Sequence, residues 1–259
     1  MDTLAACLPR AACLPRHPTP GFGQDVAAVD TLIVSDLHLG LPAARPRDLL
    51  AMLERTSFNR LILLGDVFHD WRFRHLCADT WRLLAHIRRL SHRDEAEIVW
   101  VLGNHDRHLA QLVAKLMGIE TRESFCWSYA GRRFEALHGD RFDNFISRYA
   151  MLADIFSEAY SFAQRWLSRR GTWPNALDQL QIGLSNLCEE VAAGARRHAD
   201  AAGIDVIVCG HTHRPRHKVF DLLGPAGRRV EYFNTGCWVD RQASFVTVGA
   251  GGVALNQCP

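Results

Sequence analysis

Charge imbalance is scarce in this 259-residue chain: 30 basic residues against 28 acidic ones leave a formal charge of +2. No bulk field therefore recommends nucleic acid as a partner. Lysine is scarcer still, Lys115 and Lys218 being the only two. An arginine fork grips phosphate where lysine offers a point charge, but a codon bias towards arginine accounts for most of the rest. The eight cysteines lack any CxxC spacing: Cys7 and Cys13 sit near the start, and Cys77, Cys126, Cys188, Cys209, Cys237 and Cys258 are scattered. That excludes a disulfide framework and suits a reducing compartment. No apolar run is long enough to cross a membrane. Residues 1–30, with a near-tandem Ala-Ala-Cys-Leu-Pro-Arg repeat, lack the charged start and apolar stretch of a signal peptide. They read as a disordered extension or as residues upstream of the true start, and the chain reads as cytoplasmic.

What remains is an ordinary globular composition, 48% hydrophobic and 22% charged, long enough for one domain with an insertion. Five apolar runs end in short polar blocks. Leu32-Ile33-Val34 leads to Asp36-Leu37-His38, Leu61 to Leu64 leads to Gly65-Asp66, and Ile98 to Leu102 leads to Gly103-Asn104-His105-Asp106. Phe134 to Leu137 leads to His138-Gly139-Asp140, and Val206-Ile207-Val208 leads to Gly210-His211-Thr212-His213. Continuous apolar runs are what strands buried in a layered α/β fold look like, and ligands collect at the carboxyl ends of such strands. Asp48–Arg55 and Thr80–Leu90 read as crossover helices between them. Strands are expected again at Asp205–Cys209, Val230–Phe233 and Ser244–Val248, forming a second, more antiparallel sheet. The expected architecture is α/β: two sheets in a sandwich with flanking helices.

Between Phe142 and about Ala202 the pattern changes. Phe142, Phe145, Tyr149, Leu152, Phe156, Ala159, Ala163 and Trp166 step by threes and fours. After the breaker Gly171-Thr172-Trp173-Pro174, the stepping resumes at Leu177, Leu180, Leu184, Leu187 and Val191. This predicts a helical hairpin inserted at about 142–202, either packing on the domain or roofing the site.

Carboxylate, amide oxygen and imidazole are the donors of hard and borderline divalent cations. Asp36 with His38, and His211 with His213, are alternate residues on two strand ends, so each pair can aim at one ion. Asp66 suits a bridge, Asn104 adds a neutral oxygen and His138 a nitrogen. Seven donors are too many for one ion and suit two, whose joint charge assists in-line displacement. Cys209 can share a face with His211 but reads better as a small apolar filler.

The ordered set Asp-x-His, Gly-Asp, Gly-Asn-His-Asp, His-Gly-Asp and Gly-His-Thr-His resembles the calcineurin-like metallophosphoesterases from about Thr31 to Val248. The resemblance implies a four-layer α/β/β/α sandwich and hydrolysis of phosphoesters by a metal-bridging hydroxide. Asp36, His38, Asp66 and His213 would hold one ion, and Asp66, Asn104, His138 and His211 the other. The ions would be Mn²⁺, with Fe or Zn as alternatives, and His105 the general acid. Many relatives carry an acidic residue where His69 stands, so Asp70 or Asp106 is expected to orient His105. Gly65-Asp66-Val67-Phe68 with Trp71, Phe142-Asp143, Gly-His-Thr-His-Arg-Pro, and Asn234-Thr235-Gly236 with Trp238 resemble the UDP-2,3-diacylglucosamine hydrolases and their sister group. This implies a sugar-nucleotide pyrophosphate substrate, with the hairpin over its acyl chains and contact at the inner membrane. The dedicated lipid A enzymes carry Arg at the position of His105, which favours the sister group and leaves a phosphomonoesterase or phosphodiesterase as the second reading.

Overall fold

The computed structural model describes residues 28–69, 76–92, 96–143, 174–222, 227–240 and 242–258. Two sheets face each other. Among the described residues the first has six strands and the second five. Strands β1 (Val29–Val34), β2 (Phe58–Leu64) and β3 (Glu97–Val101) pair in parallel. Their crossovers are α1 (Pro46–Arg55) and α2 (Ala78–His92), close to the expected spans. Short β4 (Thr121–Arg122), reached through α3 (Ala110–Met117), extends that parallel edge.

The second sheet is built on β6 (Arg132–Ala136), β7 (Val206–Cys209) and β9 (Arg229–Asn234), again parallel, with β5 (Phe125–Tyr129) and β8 (Arg216–Asp221) antiparallel at its edges. The expected second, more antiparallel sheet is corrected at one strand: its central pairs are parallel and its edges antiparallel, but β10 (Ser244–Gly249) joins the first sheet, antiparallel to both β1 and β11 (Gly252–Gln257). Alternation in a sequence reports which face a residue takes, not which strand lies beside it.

Three apolar clusters define the layers. Ile33, Ile62, Val99, Phe134, Val206 and Phe233 meet between the sheets. Leu32, Leu61, Leu63 and Trp100 pack outward against Leu49, Leu53, Leu83 and Ile87 of α1 and α2. Leu137, Ile207 and Tyr232 pack outward against Ala192, Ala195 and Ala199 of α4 (Pro174–Ala202). The result is an α/β/β/α sandwich. Helix α4 begins with Pro at its first position, where the missing N–H costs nothing. It ends at Gly203, whose φ of +68° supplies the left-handed turn after the last residue.

Of the expected hairpin, residues 144–173 lie outside the described residues, as do residues 1–27 of the N-terminal extension. The second helix is α4, about 43 Å long, and from Val191 onward it forms the outer layer of the sandwich. Phe142 belongs not to a helix face but to a 3-10 turn, Asp140–Phe142. It packs where Gly194 leaves room: a Cβ there would lie 2.8 Å from the Phe142 Cβ.

Candidate metal centre

Every polar block stands in the loop that leaves its strand, β1, β2, β3, β6 or β7, so five loops meet at one end of the sandwich. The backbone there is unusual. Among the described residues six non-glycine positions have left-handed φ, and five of them are expected ligands at this end: Asp36, His38, Asp66, His211 and His213. Such strain persists only where surroundings enforce it, and it concentrates at functional sites. The glycines of the blocks serve close packing. A Cβ on Gly65 would strike the His138 ring, one on Gly103 the Asp66 side chain, and one on Gly210 the Asp36 carboxylate.

Five of the seven expected ligands come together. Donor atoms of Asp36, His38 and His213 lie within 4.8 Å of one another, and so do those of Asp36, Asp66 and His138. His213 Nε2 is 3.2 Å from Asp36 Oδ1 and 3.0 Å from His38 Nε2, and His138 Nε2 is 3.3 Å from Asp66 Oδ2. The His211 ring stands edge-on to His138 at 5.3 Å. Asp36 and Asp66 each have one oxygen tied to backbone: Asp36 Oδ2 accepts from the His211 N–H and Asp66 Oδ1 from the His105 N–H. Their other oxygens face the imidazoles.

Neighbours fix the rings. His138 Nδ1–H donates to the Leu64 carbonyl, which turns Nε2 towards the centre. His211 Nε2 is held 2.9 Å from Asp143 Oδ2, so Nδ1 is the atom that could meet an ion. Asp143 stood in the sequence only as part of a resemblance. Its role emerges because the turn at Phe142, seated on Gly194 of α4, delivers it to His211. Asn234-Thr235-Gly236 is likewise a brace: Asn234 donates to the Gly210 carbonyl, and Thr235 bonds Ser35, which also bonds Asp36.

Residues 30–215 match the family model of calcineurin-like phosphoesterases. The chain is a calcineurin-like phosphoesterase. This phosphoesterase is 30% identical over 218 residues to a UDP-2,3-diacylglucosamine hydrolase of Chromohalobacter salexigens, covering 77% of this chain and 86% of that protein. It is 26% identical over 245 residues to one of Stenotrophomonas maltophilia, covering 87% of this chain and 97% of the relative. A solved structure described as a novel archaeal phosphodiesterase aligns over 88% of this chain and 98% of its own at 14% identity, with a TM-score of 0.45. Membership makes the phosphoesterase a metal-dependent phosphoester hydrolase. No helix among the described residues is long and apolar enough to cross a membrane.

The phosphoesterase fits divalent ions on its own chemistry. Asp36 Oδ1, Asn104 Oδ1 and His138 Nε2 are buried without a hydrogen bond, a costly state unless something else satisfies them. Burial raises the Asp66 and Asp36 carboxyls, but His138 outweighs it at Asp66, held well below the usual range, and His213 outweighs it at Asp36, held to about 2. Burial and then His213 push the His38 imidazole down to about 3, so it stays neutral, the form that binds metal. Burial opposes charge on His138 and His213 too, yet Asp66 raises the first well above its ordinary value and Asp36 raises the second. Protons on these two rings balance the two carboxylates, and divalent ions would take their place.

The remaining expected residues divide. His105 Nδ1 lies 2.8 Å from the His69 carbonyl oxygen, so a backbone group orients it. Asp106 does not take that part. Its Oδ2 accepts from the Val67 N–H and the Trp100 indole, and its Oδ1 from the Gly103 N–H. It ties the loops after β2 and β3 together, and burial, then Asp66, raises its pKa. Asp70 and Trp71 lie outside the described residues. Cys209 is fully buried against Leu137 and Tyr232, and burial pushes its thiol well up, as befits a packing residue.

Proposed function

We propose that this phosphoesterase hydrolyses a sugar-nucleotide pyrophosphate of the UDP-2,3-diacylglucosamine type, with two divalent ions, Mn²⁺ first and Fe or Zn as alternatives. Asp36, His38, Asp66 and His213 would hold one ion, and Asp66, Asn104, His138 and His211 the other. The observation that carries the dinuclear reading is Asp66 Oδ2, which faces His138 at 3.3 Å on one side and His38 at 4.0 Å on the other. Bound ions would supply the attacking oxygen and neutralise charge developing at phosphorus. The residues do the rest. Asp143 and the Leu64 carbonyl hold two imidazoles in the required tautomers. The His69 carbonyl presents His105 Nε2 to the leaving oxygen as general acid.

The substrate reading is supported by relatives that bear that enzyme's name across most of their length. A lipid-linked substrate would bring the protein to the inner membrane surface. One observation favours a second reading, a phosphomonoesterase or phosphodiesterase for a small soluble substrate or a phosphoprotein. His105 stands where the resembling lipid enzymes have Arg, and its Nδ1 at the His69 carbonyl suits a proton donor. A Mn²⁺-supplemented comparison of UDP-2,3-diacylglucosamine with simple aryl phosphates decides between them. Pyrophosphate cleavage with the higher kcat/KM supports the first reading, and its absence the second. His105→Ala should cost more with poor leaving groups than with good ones. Equal losses would remove its role as acid.

A further inference from the structure

The loop after β2 carries one imidazole that the proposed mechanism does not use. The His69 ring stacks on His105 with centroids 5.3 Å apart and 26° between planes, and stands edge-on to His38 at 5.7 Å. Nitrogens of His38, His69 and His105 lie within 4.8 Å of one another. The three are graded in exposure: His38 is buried at the floor, while His69 and His105 are only partly buried. The proposed general acid thus does not stand alone at the mouth. A second ring stacks on it, partly buried to a similar degree.

We propose that His69 is a specificity-determining residue that donates a hydrogen bond to a leaving group that is itself a phosphate. This rests on the pyrophosphate reading above. In that reaction water oxygen bonds to the attacked phosphorus, and the bridging P–O bond breaks with its electron pair on the departing phosphate. One water proton passes to solvent, and His105 supplies a proton to the departing oxygen. The departing phosphate also bears non-bridging anionic oxygens, which an aryl oxide lacks. His105 serves the bridging oxygen, and the ring stacked on it is placed for a non-bridging one. A neutral imidazole has an N–H to give, so His69 need not be charged. Its side chain acts separately from its backbone, since the carbonyl that orients His105 is kept whatever residue stands at 69.

The test compares kcat/KM for UDP-2,3-diacylglucosamine and bis(p-nitrophenyl) phosphate in the full-length protein with Mn²⁺, with metal content measured alongside. His69→Phe keeps a flat ring against His105 but loses the donor. Activity on the pyrophosphate should fall on the order of 10- to 100-fold, the worth of one hydrogen bond to a charged group. Activity on the aryl diester should change less than about threefold, and metal content not at all. His69→Gln, which restores an N–H donor, should recover part of the loss. If Phe does not fold there, His69→Leu serves instead. Equal losses on both substrates, no loss on either, or loss of metal would overturn the role of His69 and leave the substrate reading standing. Wild-type protein that cleaves the aryl diester but not the pyrophosphate overturns the substrate reading and this role with it.

Discussion

The two sheets bring opposite chemistry to the seam between them. Loops of the first sheet carry both carboxylates, Asp36 and Asp66, with His38 and Asn104. Loops of the second carry imidazoles, His138, His211 and His213. Two short acid–imidazole approaches cross the sandwich: His138 to Asp66 at 3.3 Å and His213 to Asp36 at 3.2 Å. Neither sheet is a metal site by itself. The apolar layer of Ile33, Ile62, Phe134 and Val206 brings anion and imidazole into range, so closing the core and forming the site are one event.

The comparison breaks most sharply at the anion that faces both sides. Asp66→Ala should lower turnover of an aryl phosphodiester on the order of 10³-fold and strip metal. Near-normal turnover with metal retained would show that the sheets need no shared carboxylate. Asp143→Asn probes the second sheet, because it weakens the grip on His211. Metal affinity should fall about 10- to 100-fold with little change in melting temperature. An unchanged affinity would mean His211 needs no such support.

The smallest effect is a pH signature of the metal-free protein. His138 and His213 titrate above their ordinary 6.5 when folded, so their contribution is complete below pH 6.5 and is lost as pH rises through the raised values. Asp36 and Asp66 titrate below their ordinary 3.8, so theirs is present above 3.8 and is lost as pH falls through the lowered values. With chelator present, melting temperature should therefore drop by a few degrees between pH 6.5 and 9, while the gain from added Mn²⁺ grows. A metal-dependent gain that shrinks across that range would show that protons and ions do not compete for these rings.

Legibility followed the range of the interactions. The runs at β1, β2, β3 and β7 were readable because strand ends buried on both faces take apolar residues, whereas β6 carries a buried Glu135 that meets His198. The edge strands β5 and β8 passed unread, since half-exposed strands dilute that signal, as in the alternating Arg216–Asp221. Strand β10 was readable as a strand but not as a neighbour of β1, a pairing made across some 200 residues. At the site, Asp36, His38, Asp66, His138 and His213 come together among the described residues, with the His211 ring beside His138. Their supports were not visible. The His69 carbonyl, Asp143 on His211 and the three bonds on Asp106 depend on how loops from different strands settle against one another, and a backbone carbonyl has no signature in the sequence.

The sequence by itself determined the donor types, their order at the strand ends and the family they match, because side-chain identity and local periodicity are written residue by residue. Only the tertiary structure decided that the carboxylates come from one sheet and most of the imidazoles from the other. It alone showed that a main-chain oxygen orients His105 and that His69 lies flat against it. Those facts arise from packing between distant segments, where close approach is set by shape and by the few positions, such as Gly65, Gly103 and Gly210, that leave no room for a side chain.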